Sequence, residues 1–219
     1  MKYLKIIGLA ALAAMALTAF GVSSASAATV CSTEGHGSAC KAGHGNQYTG
    51  EIHAVNVGNV ILTATSSEGK TVNTVTSTSS TVQGTISDSE SGAGSISIMS
   101  FAGLSSTLCS SVSATTTASS TNPWPSSVTT DGPSETTNGI MTTSNVTGSF
   151  TCSFLGALVT CKYFTSNAQT TVDGSDTDPL VTAESIPLSW EQGPTSVCGS
   201  KADWTGTYTI TTPKSLFIE

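Results

Sequence analysis

Apolar and polar residues alternate with a period of two through most of the chain after residue 50, the mark of strands with one buried face. Residues 52–57, 60–65, 72–76 and 82–86 are short runs of this kind, separated by Gly, Asn and Ser. Ile96 and Ile98 alternate with Ser and lead into Met99 and Phe101, and residues 108–114 set Leu108, Ser110, Val112 and Ala114 on one side. Ile140-Met141, residues 169–172 and the series Ile186, Leu188, Trp190 extend the pattern. The last run is the clearest: Trp204, Gly206, Tyr208 and Ile210 share one face, with Thr205, Thr207 and Thr209 on the other. Beyond the first residues there is no sustained helical spacing and no capping-box-led amphipathic run. About a dozen short strands with turn residues between them predict an all-β fold, a single antiparallel β-sandwich or partly closed barrel. Residues 115–138, polar and Pro-containing, are expected to form a long exposed loop.

The amino-terminal stretch has a different character. Lys2 and Lys5 precede an almost unbroken apolar run over residues 6–22, followed by Ala25-Ser26-Ala27. That order is the pattern of a secretory leader cleaved after Ala27. The run is short for a membrane span, and no later segment is apolar enough to cross a bilayer as a helix. The expectation is a leader over 1–27 and one all-β domain over 28–219, secreted to the extracellular space or cell envelope, with no membrane span after cleavage.

All six cysteines follow the leader. An even count in an oxidising compartment predicts disulfides. Around Gly156-Ala157, two strand-like runs suit a two-residue type II′ hairpin with Gly first. That register sets Cys152 opposite Cys161 at a non-hydrogen-bonded pair, where Cα atoms lie about 4.5 Å apart, within disulfide reach. Cys31 and Cys40, equally spaced, are expected to pair near the new terminus, leaving Cys109 and Cys198 to close a long loop. Sequence alone leaves the connectivity beyond Cys152–Cys161 open.

Composition narrows the function. The 219 residues carry seven Lys+Arg against fourteen Asp+Glu, a formal net charge of −7, and all seven cations are lysines. Roughly a third of the chain is Ser or Thr, far above ordinary usage. Phosphate neutralisation and base readout lean on basic, Arg-rich surfaces, so nucleic acid is excluded as a partner. If the protein binds a ligand, that ligand is expected to be neutral or cationic, an extracellular glycan for example.

Three groups of residues could carry chemistry. His36 and His44, each between glycines, flank Cys40 and could ligate a transition metal; the alternative is exposed His on Gly-rich turns beside an oxidised cysteine. Asp173, Asp176 and Asp178 crowd one short segment and could offer oxygens to calcium, although the EF-hand spacing is not met; a solvated hairpin loop is the plainer account. Trp124, between Pro123 and Pro125, could project from a loop to stack on a sugar ring, or pack inward. Ser38-Ala39-Cys40-Lys41 matches the S-x-x-K of penicillin-recognising enzymes by letter only, because the companion motifs are missing.

The early cysteine pair, Tyr48-Thr49-Gly50-Glu51-Ile52, Asn122-Pro123-Trp124-Pro125, the Cys152 to Tyr163 hairpin and Cys198 with Trp204-Thr205-Gly206-Thr207-Tyr208 together resemble uncharacterised secreted all-β proteins of soil bacteria. The resemblance implies an exported β fold and transfers no activity and no catalytic residue. With no complete catalytic constellation in the sequence, a non-enzymatic structural or ligand-binding module is the leading expectation. A secreted hydrolase of an extracellular polymer and a metal-binding extracellular protein are the alternatives.

Overall fold

The alternating runs become long antiparallel strands that close on themselves. The computed structural model describes residues 28–32, 40, 45–131 and 138–219; the leader, His36 and His44 lie outside them. Two short strands, β1 (Val30–Ser32) and β2 (Asn46–Gln47), precede β3 (Gly50–Thr65), β4 (Thr71–Asp88) and β5 (Ala93–Ser106). Then come β6 (Val112–Thr116), β7 (Trp124–Thr130), β8 (Gly139–Phe154), β9 (Ala157–Asp173) and β10 (Leu180–Gln192). A one-turn helix α1 (Thr195–Cys198), β11 (Lys201–Thr212) and β12 (Phe217–Ile218) complete the chain. The ladder runs β8-β7-β5-β4-β3-β11-β10-β9, and β9 pairs again with β8, so these strands form a closed antiparallel barrel. The expected all-β class is therefore realised as a ring of strands, which pairs most of the sheet edges that a sandwich would leave free.

The strands are longer than the sequence runs suggest. Residues 52–57 and 60–65 belong to one strand, β3, and residues 72–76 and 82–86 to one strand, β4. The polar interruption in β3 is a β-bulge, and that in β4, residues 77–81, is regular ladder against β5; neither is a turn. The β3–β4 register shifts between Val55 and Val60, where Gly58 takes a φ of 73°. A bulge adds a residue, bends the strand and restores the inward apolar face beyond it, which barrel closure needs at its corners. Further shifts on β10 and β11 do the same.

Residues 115–138 are likewise not one loop. They contain the end of β6 and all of β7, which fill one wall position in turn. β7 pairs with β5 over Ala93–Ile96 and with the first half of β8, whereas β6 pairs with the second half of β8. Among the described residues no backbone ladder joins β6 to β5; the Thr116 hydroxyl donates to the Met99 carbonyl at 3.1 Å across this seam.

The β8–β9 hairpin corrects the disulfide pattern. Its loop is Leu155-Gly156, with φ of 50° and 81°, and Phe154 pairs with Ala157. Two positive φ values make a type I′ turn, with Gly at the second central position instead of the first. The turn sits one residue earlier and the register consequently shifts by two residues: Cys152 faces Val159 and Cys161 faces Phe150, so the two cysteines are not opposite each other. Cys152 instead bonds Cys109, and Cys161 bonds Cys198, with Cα separations of 5.7 and 5.4 Å. Neither Cys152–Cys161 nor Cys109–Cys198 exists. Cys31–Cys40 forms as expected, at 5.9 Å.

Each barrel end has its own closure. At one end β12, β1 and β2 form a small sheet, in which Val30 pairs with Ile218 and Glu219 N–H donates to the Thr29 carbonyl at 2.9 Å. At the other end α1 packs its buried Val197 and Cys198 inward, tied by Cys161–Cys198 and by the Tyr163 hydroxyl, which donates to the Cys198 carbonyl at 2.6 Å. Gly193 makes room for this bridge, since a Cβ there would overlap the Cys198 sulfur and the Thr160 carbonyl. Fully buried Asn73 accepts from Ser106 Oγ at 2.7 Å and braces the chain beside Cys109.

In the chain-entropy model, loops of 43 and 37 residues give about 4 kcal/mol each, and the nine-residue loop about 2.6. Non-reducing peptide mapping should find Cys109 with Cys152 and Cys161 with Cys198. In denaturant titrations, the double serine variant of either long bridge should lose more stability than that of Cys31–Cys40.

Candidate functional site: the barrel interior

Eight strands give an interior just wide enough for side chains to fill, or for one small ligand if they do not. Many inward positions here hold small residues: Ala54, Gly84, Ala168, Ala183 and Gly206. The larger side chains cannot fill the remainder, and two cavities result, of about 90 and 100 Å³. The first lies toward the disulfide-tied end, between Val60, Leu62, Val75, Phe101, Leu104, Ala114, Phe150 and Leu188. It sits behind the β5–β6 seam, with Leu104 on one side and Ala114 on the other. The second lies toward the small terminal sheet, whose Val30, Leu216 and Ile218 form its floor. Met99, Trp124, Val146 and Trp204 line both cavities and make the waist between them.

The lining is apolar, and among the described residues no charged side chain belongs to it. The charges lie on the outer surface, as in the Lys162–Glu191 pair at 2.9 Å and the Lys70–Glu68 pair at 3.3 Å. Outward strand positions are mostly Ser and Thr, linked across strands by hydroxyl bonds such as Thr151–Thr160 at 2.9 Å and Thr81–Ser100 at 2.6 Å. This is the reverse of a lipid-facing barrel, whose outer band is apolar. Among the described residues no helix is long and apolar enough to cross a membrane.

Polar groups that do turn inward are mostly bonded within the wall. Ser80 Oγ donates to the Ser100 carbonyl at 2.8 Å and accepts from the Tyr208 hydroxyl at 3.1 Å, while Ser80 N–H donates to Asn56 Oδ1 at 2.7 Å. Burial pushes the Tyr208 hydroxyl up to about 12, against a smaller downward pull from Ser80, and burial raises Tyr163 as well. Among the described residues two side chains are exceptions: Thr65, whose Oγ1 belongs to neither cavity lining, and Trp204. The Trp204 indole Nε1 is buried with no hydrogen-bond partner among the described residues, and a buried donor left unpaired costs about 1–3 kcal/mol. Its ring meets Tyr208 in a tilted arrangement, centroids 6.4 Å apart.

Comparison with family models, curated proteins and solved structures finds no match.

The residues singled out from the sequence fall in several places. Trp124 is no loop aromatic: it opens β7, is 4% exposed and faces the waist, its Nε1 donating to Thr117 Oγ1 at 3.2 Å. A surface stacking platform is thereby ruled out at this residue, and a cavity wall takes its place. Asp173, Asp176 and Asp178 are exposed around a turn in which Ser175 Oγ accepts from Thr177 and Asp178 N–H groups, both at 3.3 Å. Among the described residues the metal-capable atoms that converge within 4.8 Å are those of Cys31, Cys40 and Glu219, and both sulfurs are in a disulfide, so they offer no thiolate. Met99, Val146 and Trp204 do not stand out as a group in the sequence. The signal for them is the recurrence of Ala and Gly on inward faces, which leaves an eight-stranded barrel underfilled.

A tyrosine held neutral by burial stabilises the fold fully below the unfolded tyrosine value of about 10. As pH rises from there toward 12, the unfolded chain ionises first and stability falls. Urea midpoints should be flat across pH 8–9 and decline above 10, and Tyr208→Phe should flatten that decline while losing about 1 kcal/mol from the Ser80 bond.

Proposed function

We propose that the protein is a secreted, non-enzymatic binding module that takes a small, neutral, mostly apolar ligand into its barrel. The apolar double cavity carries this reading. Unfilled core volume costs about 24 cal/mol per Å³, so two cavities of this size withhold about 4–5 kcal/mol of packing. A guest that fills them recovers part of that as affinity, which corresponds to binding in about the millimolar range. Each is smaller than the ~150 Å³ apolar cavity that admits benzene in an engineered lysozyme, and the two adjoin at a waist of shared side chains. Buried space with no charged lining disfavours ions and glycans, whose charges or hydroxyls would go unpaired.

Export rests on the leader-like first 27 residues together with three disulfides, bonds that persist in oxidising compartments. A rigid frame suits capture by a preformed cavity, since little ordering is left for the ligand to drive. The β5–β6 seam beside the first cavity, where a side-chain bond replaces ladder bonds, offers a way in without breaking a backbone ladder.

Toluene titrated into the protein and followed by calorimetry should bind saturably. Val146→Phe at the waist and Ala168→Leu in the second cavity should each weaken it tenfold or more while holding or raising the melting temperature. No toluene binding by the intact protein would remove the reading, as would equal binding by both filled variants. Mass analysis of the exported product should give a chain starting at Ala28.

A further inference from the structure

We propose that the ligand carries one hydrogen-bond acceptor, a ketone or ester carbonyl, and that Trp204 Nε1–H is the donor that holds it. The inference rests on the binding reading above and specifies the ligand's chemistry. An indole N–H can only donate, and this one is buried without a partner among the described residues, on a ring that lines both cavities. The other polar side chains around the first cavity are committed elsewhere. Ser77 Oγ lies 2.7 Å from the Ser79 carbonyl and 2.8 Å from that of Ala102; Thr116 donates to Met99, Trp124 to Thr117 and Tyr163 to Cys198. Thr115 and Ser149 turn outward beside the inward pair Ala114 and Phe150 and bond each other at 2.9 Å on the outer face. One donor therefore stands open beside an otherwise apolar space.

That arrangement discriminates among ligand classes. A pure hydrocarbon fills the volume and leaves the N–H unpaired. A carboxylate brings a charge for which the lining has no counter-ion. A polyol brings more hydroxyls than one donor can serve. A neutral molecule with a single carbonyl satisfies the indole and leaves its apolar remainder in the cavities. Sites built around one buried polar group reject analogues that lack the matching atom more strongly than they reject a missing methylene.

The test compares methyl pentyl ketone with its isostere in which C=CH₂ replaces C=O, in the intact protein and in Trp204→Phe. Ketone affinity should fall about threefold to tenfold in the variant, while that of the alkene changes less than twofold. Because Trp204→Phe could itself perturb folding, the intact protein supplies an independent measurement in its proton–nitrogen correlation spectrum. The Trp204 indole resonance should move downfield and exchange more slowly with ketone, and not with alkene. Parallel losses for both probes in the variant, or identical indole shifts with both, would overturn the role of Trp204 and leave the binding reading standing. Failure of both probes to bind the intact protein would overturn both.

Discussion

Everything inside this protein depends on one ladder, the antiparallel pairing of β11 with β3. It runs from Lys201 opposite Thr65 to Thr212 opposite His53 and joins the last long strand to the first. Without it the chain would be an open meander with two unpaired edges, and its apolar face would have nothing to pack against but a second sheet. With it, the face turns in on itself. Closure sets a circumference, and the circumference sets a volume that the inward side chains must fill. Wherever those side chains are Ala or Gly, a closed wall cannot collapse onto them as a sandwich could, so the space persists.

The composition becomes intelligible in the same terms. A closed barrel has an outside made of every second residue, and here that outside is largely Ser and Thr. Cross-strand hydroxyl pairs such as Thr151–Thr160 and Thr115–Ser149 satisfy these groups on the sheet surface, and β-branched Thr suits the pleat. Few charges are then needed for solubility. The disulfides do a different task. They fasten the parts that ladders do not hold: α1 to β9 through Cys161–Cys198, the β5–β6 connection to β8 through Cys109–Cys152, and the chain at Cys40 to β1 through Cys31–Cys40.

The two ends of the barrel and its seam divide the labour of stability and access. The terminal sheet seals the second cavity with Val30, Leu216 and Ile218, while α1 and two bridges seal the opposite end. Between them the backbone ladder lapses where β6 lies beside β5 and where β10 passes β9 between Thr182 and Ser189. A frame fixed at both ends with weaker places in its side is the geometry of a container, and Trp204, reaching both cavities with its donor unpaired, is the feature inside it that can tell one neutral guest from another.

The alternation of apolar with polar residues determined the all-β class, and the series Trp204, Gly206, Tyr208, Ile210 marks its own inward face, because side-chain direction in a strand follows from its period of two. The even set of cysteines after residue 27 determined that there would be bridges. Which cysteines meet was decided by a one-residue displacement of the turn to Leu155-Gly156, a choice between two turn types that both use Gly and that local sequence leaves nearly balanced. Bulges at Gly58 and along β10 and β11 hid the true strand lengths, since an inserted residue breaks the period as a turn does. Trp124 reads equally well as a projecting or a buried ring; its place at the waist was decided by β7 entering the wall. The cavities belong to no segment at all. They exist because strands distant in sequence close at a fixed circumference around side chains too small to fill it, and volume is a property of the closed wall, not of any run of residues.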